Sequence, residues 1–175
     1  FLISQIVSLA IKEELDSYAD DFSIKWPNDI YWNEKKICGI LIENDLSGHH
    51  IGRSISGIGV NINQETFRSD APNPVSLKQI TGQEHERYLI LANIMRRLKE
   101  YYILLQTDSS GNAANCIAER YARSLFRREG FHRYADADGE FLARLLCVEP
   151  DGRFILEDQA GKVRGYLFKE VQYIL

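Results

Sequence analysis

Hydrophobic and polar positions change their period along the first third of the chain. Between residues 2 and 15 the apolar positions recur at helical spacing, which predicts an amphipathic helix. Strand patterns follow at residues 22–26, 30–32, 37–43 and 51–63. Because residues 37–42 are apolar on both faces, we expect this strand to be central in its sheet. Successive antiparallel strands with helices outside them predict an α+β fold, with a mixed but largely antiparallel sheet and flanking helices.

Three polar segments are predicted to be turns or loops. Residues 33–36 are typical of a hairpin tip between the second and third strands. Residues 45–50 predict a second turn, which would place His49 and His50 at the surface. The prolines of residues 72–74 mark a loop.

Three further helices are predicted in the middle of the chain. Ser76 is a suitable N-cap for a short helix over residues 77–81, and Gly82 is a suitable stop. The longest apolar stripe covers residues 84–106, and another helical pattern covers residues 113–125.

The pattern changes again from about residue 131. Short alternating stretches lie at residues 140–149, 153–157, 163–168 and 171–175. Glycines after Asp138, Asp151 and Ala160 suit the tight turns between them. Closely spaced short strands are typical of a small β-barrel. We therefore predict two domains, residues 1–128 with the larger sheet and residues 129–175 with the barrel.

Composition narrows the classes of protein that fit. The chain is 45% hydrophobic and 26% charged, with 21 basic and 25 acidic residues and a net charge of −4. This composition is globular, and it argues against a generally basic nucleic-acid binder. No apolar run reaches the roughly 18 residues of a membrane helix, and the sequence shows no signal-peptide pattern. Three widely spaced cysteines indicate neither a disulfide framework nor a CxxC metal site, which is typical of a cytoplasmic protein.

Lys25 is the first residue whose surroundings suggest chemistry. It lies between Ile24 and Trp26 at the end of a predicted strand, so its ammonium either reaches water or is aimed into a pocket. Aimed inward, it would supply a fixed positive charge suited to carboxylate or phosphate oxygens. The Asn28-Asp29 turn that follows can be held by bonds to its own backbone.

A second segment, Gly57-Ile58-Gly59-Val60-Asn61, places glycine at alternate positions of a strand. One face of the strand then has no side chains, and a flat ligand can lie against the backbone. A β-bulge or close sheet packing would explain the same pattern. The phosphate-loop motifs are absent, and no residue is assigned as a metal ligand, because the histidines have no partner at metal-ligand spacing.

Three blocks in this order resemble those of bacterial biotin protein ligases. They are K-W-P-N-D at residues 25–29, G-I-L-x-E at residues 39–43 and G-x-G-x-N at residues 57–61. The predicted terminal barrel is similar to the SH3-like domain of that family, so the resemblance covers essentially the whole chain. It implies a class II synthetase-like, biotin ligase-like catalytic domain followed by an SH3-like barrel.

The resemblance implies ATP-dependent ligation of biotin to a lysine of a biotin carboxyl carrier protein through biotinyl-5′-adenylate, with Mg²⁺ accompanying ATP. Lys25 would be the catalytic residue, contacting the biotin carboxylate and the α-phosphate. The implied substrate-binding residues are Lys25, Gly39, Gly57, Ile58 and Gly59. The implied nucleotide-binding residues are Asn28, Asp29, Asn61 and Lys169. For Lys169, an ordinary surface lysine is the alternative.

The 175 residues lack two features that such ligases have, a G-R-G loop before the first helix and the Ser/Thr and Gln positions that bind biotin. Because the chain begins at Phe1 within an apolar stretch and its single methionine is Met95, we expect a preceding segment to carry the loop. We therefore expect little ligase activity from these residues alone. Two alternatives stay open, a lipoate-type acyl ligase or transferase and a non-catalytic module that binds a carrier protein. Homodimerisation through the sheet is common in the family, and this sequence does not decide it.

Overall fold

The computed structural model describes residues 1–48, 50–68 and 73–175. His49 in the second predicted turn and Pro72 in the predicted loop lie outside the described residues. The described residues form helices and two antiparallel β-sheets, which confirms the predicted α+β class. The helices are α1 (Leu2–Leu15), α2 (Leu77–Thr81), α3 (Arg87–Thr107) and α4 (Asn112–Arg123).

The first sheet follows α1 in the chain. Its strands are β1 (Phe22–Lys25), β2 (Asp29–Trp32), β3 (Lys35–Ser47) and β4 (His50–Val60). They pair antiparallel in the order β1–β2–β3–β4, so β3 is a central strand, as its two-sided apolar pattern predicts. The β3–β4 hairpin is longer than predicted, because the polar residues of both arms continue the backbone ladder across a bulge at Asp45 and Leu46.

Helices α1, α3 and α4 form a layer on one face of this sheet. Helix α1 has the bounds that its apolar spacing predicts and packs on β1 and β2, while α3 and α4 pack against α1. Helix α2 has both predicted caps: Ser76 Oγ accepts a hydrogen bond from the N–H of Gln79 at 3.2 Å, and Gly82 adopts a φ of 79°. None of the described helices combines the length and apolarity needed to cross a bilayer.

The second sheet lies in the last third of the chain. Its strands are β5 (His132–Asp136), β6 (Gly139–Val148), β7 (Phe154–Asp158), β8 (Val163–Tyr166) and β9 (Gln172–Tyr173). The order is β8–β7–β6–β5–β9, and all pairs are antiparallel. The sequence did not predict β5, because Tyr134 is its one buried residue and no alternation marks it. Among the described strands no pairing closes the sheet, so its predicted strands are confirmed and the closed SH3-like barrel is not.

The two sheets meet at the end of β1. The indole N–H of Trp26, which is 3% exposed, donates to the carbonyl oxygen of Gly152 at 3.0 Å. Along the edge that does not pair with β2, strand β1 is hydrogen-bonded to the segment after α4. The N–H of Ile24 donates to the carbonyl of Ser124 at 2.7 Å, and the N–H of Phe126 donates to the carbonyl of Ile24 at 2.9 Å. The strand is therefore fixed both by the second sheet and by the helical layer.

Candidate functional site

One row of residues runs across all four strands of the first sheet. Lys25 on β1 pairs with Asp29 on β2. Asp29 pairs with Gly39 on β3, which in turn pairs with Gly59 on β4. Directly opposed residues of antiparallel strands point to the same face, so these four residues share one face of the sheet. We call it the open face, because the neighbouring row on the opposite face is the one buried in the core, with members Ile24, Ile30 and Cys38.

The ammonium group of Lys25 is half-buried and lies against two aromatic rings. Its Nζ donates a hydrogen bond to Tyr31 Oη at 3.1 Å and lies 4.7 Å from the centre of that ring. The ring of Tyr173, on β9 of the second sheet, lies 4.9 Å from the same nitrogen. Burial lowers the pKa of Lys25, and the nearby carboxylate of Asp29 opposes this change. Burial also raises the pKa of Tyr31 to about 12, so its hydroxyl keeps its proton near neutral pH.

Asp29 is engaged in an ion pair on the open face. Its Oδ1 lies 2.6 Å from Lys36 Nζ, and the two side chains are 18% and 27% exposed. A Cβ added to Gly39 would lie 3.3 Å from that Nζ and 3.6 Å from that Oδ1. Glycine at position 39 therefore leaves space for the Asp29–Lys36 ion pair. The part of the open face that a ligand could contact lies further along the sheet, on β4.

Gly57 and Gly59 form the bare part of the open face. Gly59 pairs with Gly39 and Gly57 pairs with Leu41, and both β4 glycines are exposed. An added Cβ would lie 3.8 Å from its nearest neighbour at Gly57 and 3.9 Å at Gly59, so the fold itself has space there. Leu41 is 63% exposed beside them. Bare backbone next to an apolar side chain suits a flat, largely apolar ring.

Two other sequence-predicted residues lie away from this bare part of the open face. Ile58 pairs with Ile40, which is 3% exposed, so the side chain of Ile58 is on the opposite face from Lys25. Asn61 follows β4, and its Oδ1 accepts a hydrogen bond from Gln64 Nε2 at 3.4 Å. Position 58 can therefore contribute only its backbone to the open face. Asn61 lies half-buried just after the end of β4.

A cavity of about 290 Å³ lies beside Lys25, between the two sheets. Its lining brings together the sequence-predicted residues Lys25, Asn28, Asp29 and Lys169 with Tyr173. Asn28 is clamped to β3, because its Nδ2 donates to the carbonyl of Ile40 at 2.5 Å and its own carbonyl accepts from the Ile40 N–H at 2.9 Å. Lys169 is exposed at the rim. Two ammonium groups at one cavity favour an anionic ligand.

A larger and mostly apolar cavity of about 730 Å³ adjoins the first one. The two cavities share Trp26, Pro27, Asn28 and Phe168. The larger one extends to Leu41 and Ile42 on β3. An apolar space beside a cationic one can hold a molecule with a hydrophobic body and an acidic end.

Sequence reasoning missed three residues of this region, which are Tyr31, Leu41 and Tyr173. Tyr31 and Leu41 carried a signal, because both belong to the open face by strand register with the predicted residues. Tyr173 carried none, since its proximity to Lys25 depends on how the second sheet packs against the first.

The fold and the two adjoining cavities together are those of an α+β protein whose site can hold an amphipathic anion. The pattern of the Biotin/lipoate A/B protein ligase family matches residues 1–61. The chain is 30% identical over 175 residues to the biotin–[acetyl-CoA-carboxylase] ligase of Paracoccus denitrificans, covering 91% of this chain and 68% of that protein. It is 27% identical over 170 residues to the bifunctional ligase/repressor BirA of Bacillus subtilis. The chain therefore belongs to the biotin protein ligase family.

A solved structure agrees with this fold. The apo biotin protein ligase from Aquifex aeolicus matches with a TM-score of 0.75 at 24% identity, over 98% of this chain and 73% of that one. At this identity the likeness concerns the fold alone. The alignment with the Bacillus subtilis relative covers 94% of this chain and 50% of the relative, so the chain spans about half of that protein's length.

Proposed function

We propose that this chain binds biotin and ATP and takes part in the ligation of biotin to a lysine of a biotin carboxyl carrier protein, through biotinyl-5′-adenylate. The observation that carries the proposal is the row that aligns the Lys25 ammonium with the glycines of β4 on one open face. A biotin protein ligase from Aquifex aeolicus is known in complex with biotin and ATP, which supports the same two ligands here.

Lys25 is the residue that acts on the reacting groups in this proposal. The biotin carboxylate and the α-phosphate of ATP are both anions, and they must approach each other before the acyl–phosphate bond forms. A fixed ammonium reduces their repulsion and stabilises the charge that develops on the phosphate. Preorganised donors of this kind are worth about 3 kcal/mol of transition-state stabilisation. The half-buried position of the Lys25 side chain strengthens the effect, because water screens the charge less there.

The biotin rings would lie over Gly57 and Gly59, beside Leu41. A side chain at either glycine would occupy the space of the rings, while the fold itself would tolerate it. Gly39 supports the neighbouring Asp29–Lys36 pair, and position 58 contributes its backbone only.

The nucleotide would lie toward the cavity between the sheets, near Asn28 and Asp29, with Asn61 at the end of β4. The residues present fit phosphate groups, because Lys25 and Lys169 line that cavity and the Asp29 carboxylate is already neutralised by Lys36. Mg²⁺ would accompany ATP and neutralise the departing pyrophosphate, and we assign no ligand in this chain to it.

The two predicted domains would contribute different parts of this site. We assign residues 1–128 to the catalytic domain and residues 129–175 to an SH3-like module that approaches the nucleotide side. The position of Lys169 at the shared cavity supports that assignment. Homodimerisation through the sheet stays a prediction.

Titration calorimetry with biotin and with lipoate tests the proposal. We expect biotin to bind, and Lys25→Met to weaken binding by about 1.5–3 kcal/mol, the usual loss of a hydrogen bond to a charged group. Lys35→Met is the matched control, since Lys35 is exposed at the start of β3, and it should change nothing. Lipoate binding without biotin binding would support the lipoate-type alternative. Binding of neither acid would support the non-catalytic module.

Biotin-dependent pyrophosphate exchange tests the catalytic expectation separately. We expect little exchange from the 175 residues alone, because the G-R-G loop of the family is not among them. Full exchange activity from these residues would contradict that expectation without affecting the binding proposal.

A further inference from the structure

The second sheet contributes an aromatic ring to the Lys25 site. Tyr31 of β2 and Tyr173 of β9 lie 4.7 Å and 4.9 Å from Lys25 Nζ, measured to the ring centres. The Tyr173 distance is within the roughly 6 Å range in which a ring face attracts a cation, whereas Tyr31 holds the same nitrogen through the hydrogen bond to its hydroxyl. The two rings belong to different sheets, so neither sheet alone encloses the ammonium.

The position of Tyr173 is set by several contacts around β9. Tyr173 pairs with Tyr134 on β5. Arg127, in the segment after α4, donates from Nη1 to the carbonyl of Ile174 at 3.0 Å and to that of Arg133 at 3.3 Å. The Arg127 side chain is 10% exposed. The strand that carries Tyr173 is therefore anchored to the segment that follows α4 and lies beside β1.

The ring of Tyr173, and not its hydroxyl, faces the cation. Its hydroxyl oxygen is buried and makes no hydrogen bond to any part of the chain that the structure describes. Burial raises the pKa of Tyr173 well above its ordinary value, so the phenol stays neutral. A neutral ring face stabilises an ammonium without neutralising it, which leaves the charge available for a ligand.

We propose that Tyr173 is a positioning residue for Lys25: its ring, together with the hydroxyl of Tyr31, holds the ammonium at the cavity between the sheets, so that the second sheet completes the anion site. The inference rests on the proposed role of Lys25 in binding.

Other charged groups also act on Lys25 and must be kept constant in a test. Asp29 favours the charged ammonium, whereas Lys36 and Arg127 disfavour it. The variants chosen below therefore alter aromatic rings only and leave these three side chains in place.

The geometry is tested first on the wild-type chain without a ligand. The ring current of Tyr173 should move the NMR signals of the Lys25 Hε protons clearly upfield of those of the exposed Lys35. Tyr173→Phe should keep the full displacement, and Tyr173→Leu should lose part of it. Ordinary Lys25 shifts in the wild-type chain would overturn the inference, whether or not the variants fold.

The consequence for binding is tested by calorimetry with biotin. Tyr173→Leu should weaken binding about fivefold, the size of one cation–π contact at a half-buried site, and Tyr173→Phe should leave it unchanged. Phe141→Leu is the matched control, because Phe141 is a partly buried ring of the same sheet that packs on Tyr134 and Tyr166.

The outcomes separate this inference from the proposed function. Equal losses in Tyr173→Leu and Phe141→Leu would indicate general damage to the sheet and would overturn the positioning role. Equal binding by Tyr173→Leu and the wild type would also overturn it, while the proposed function stands. Upfield Lys25 shifts in a chain that binds no biotin would support the geometry and refute the proposed function.

Discussion

Trp26, in the turn after β1, stacks on Phe154 of β7, with ring centroids 4.8 Å apart and planes 18° from parallel. The same indole donates its N–H to the carbonyl of Gly152. Because Trp26 directly follows Lys25, this contact fixes the candidate site relative to the second sheet. The tryptophan of the K-W-P-N-D block thus has a structural explanation that is separate from catalysis.

Replacing Trp26 should weaken the junction between the sheets. Trp26→Phe keeps a ring but leaves the Gly152 carbonyl without its buried donor, and we expect a loss of about 1–2 kcal/mol in the free energy of unfolding. Trp26→Ala should cost about 3–5 kcal/mol, because it also removes the stacked ring. Urea unfolding measures both.

Trp32 provides the control for this experiment. Its indole also donates to a backbone carbonyl, that of Asp20 at 3.1 Å, but at an exposed position. Trp32→Phe should therefore cost less than about 1 kcal/mol. Equal losses at positions 26 and 32 would contradict the special role of the Trp26 contact.

The elements that the sequence predicted well are those with local causes. Helix α1 follows from its apolar period, and helix α2 follows from Ser76 and Gly82, which cap it. Strand β5 could not be predicted, because a single buried side chain, Tyr134, holds it and its partners β6 and β9 are known only once the sheet has formed. Local sequence signals therefore predict individual helices and strands, whereas the strand order of the second sheet depends on contacts between distant residues.

The candidate site was likewise predictable from the sequence only where its causes are local. The alternating glycines indicated a bare strand face, and the regular register at Gly57 and Gly59 shows that a bulge does not explain them. The sequence left open whether Lys25 reaches water or a pocket, because the answer depends on Tyr173 at the far end of the chain. No local pattern links these two positions.

Gly59→Val should separate ligand binding from stability. Valine favours strands over glycine, and an added Cβ at position 59 would lie 3.9 Å from its nearest neighbour, so we expect an unfolding midpoint equal to or above that of the wild type. The same side chain would stand where the biotin rings are proposed to lie, and binding should fall at least about tenfold. Calorimetry and thermal unfolding give the two readouts.

Gly52→Val on the same strand is the comparison. Gly52 is exposed in the distal arm of the hairpin, where it faces Ser47 rather than the Lys25 row. The Gly52→Val variant should bind biotin as the wild type does. Normal binding by Gly59→Val would show that biotin does not lie over the glycines of β4.

The lowered pKa of Lys25 predicts a dependence of stability on pH. Between its lowered pKa in the folded chain and the ordinary value of 10.5, the unfolded chain binds more protons, so this group's contribution to stability rises with pH. Below the folded pKa the full cost of keeping the charge half-buried is present. Lys25→Met removes that cost and should stabilise the fold at pH 7, by less than about 1 kcal/mol because solvent screens the group.

Urea unfolding of both chains at pH 7 and near pH 10 tests the sign. The advantage of Lys25→Met over the wild type should shrink at the higher pH, since the wild-type lysine is then losing its proton. A variant less stable than the wild type at pH 7 would mean that Lys25 supports the fold rather than the ligand.

Glu14 of α1 is a buried carboxylate that ties the helix layer together. Its side chain is 2% exposed, and it accepts hydrogen bonds from Tyr18 Oη at 3.2 Å, Asn93 Nδ2 at 2.9 Å and Arg97 Nε at 3.2 Å. The last two donors belong to α3, so the contact sets how α3 lies against α1. Helix α1 in turn supports the core face of the strands that carry the site.

Arg97→Met should be strongly destabilising, by about 3–5 kcal/mol in urea unfolding, because it leaves the Glu14 charge buried without its cation. Arg96→Met, one position earlier on α3, removes a guanidinium that pairs only with Glu100 among the described residues, at side-chain exposures of 55% and 59%. That variant should change stability by less than about 0.5 kcal/mol. The two substitutions remove the same charge and add the same side chain on one helix, so the difference between them measures the contacts that Arg97 makes with the buried Glu14 and, more weakly, with Glu13 and Ser17. Similar losses would mean that water reaches this carboxylate and that the α1–α3 contact depends on apolar packing alone.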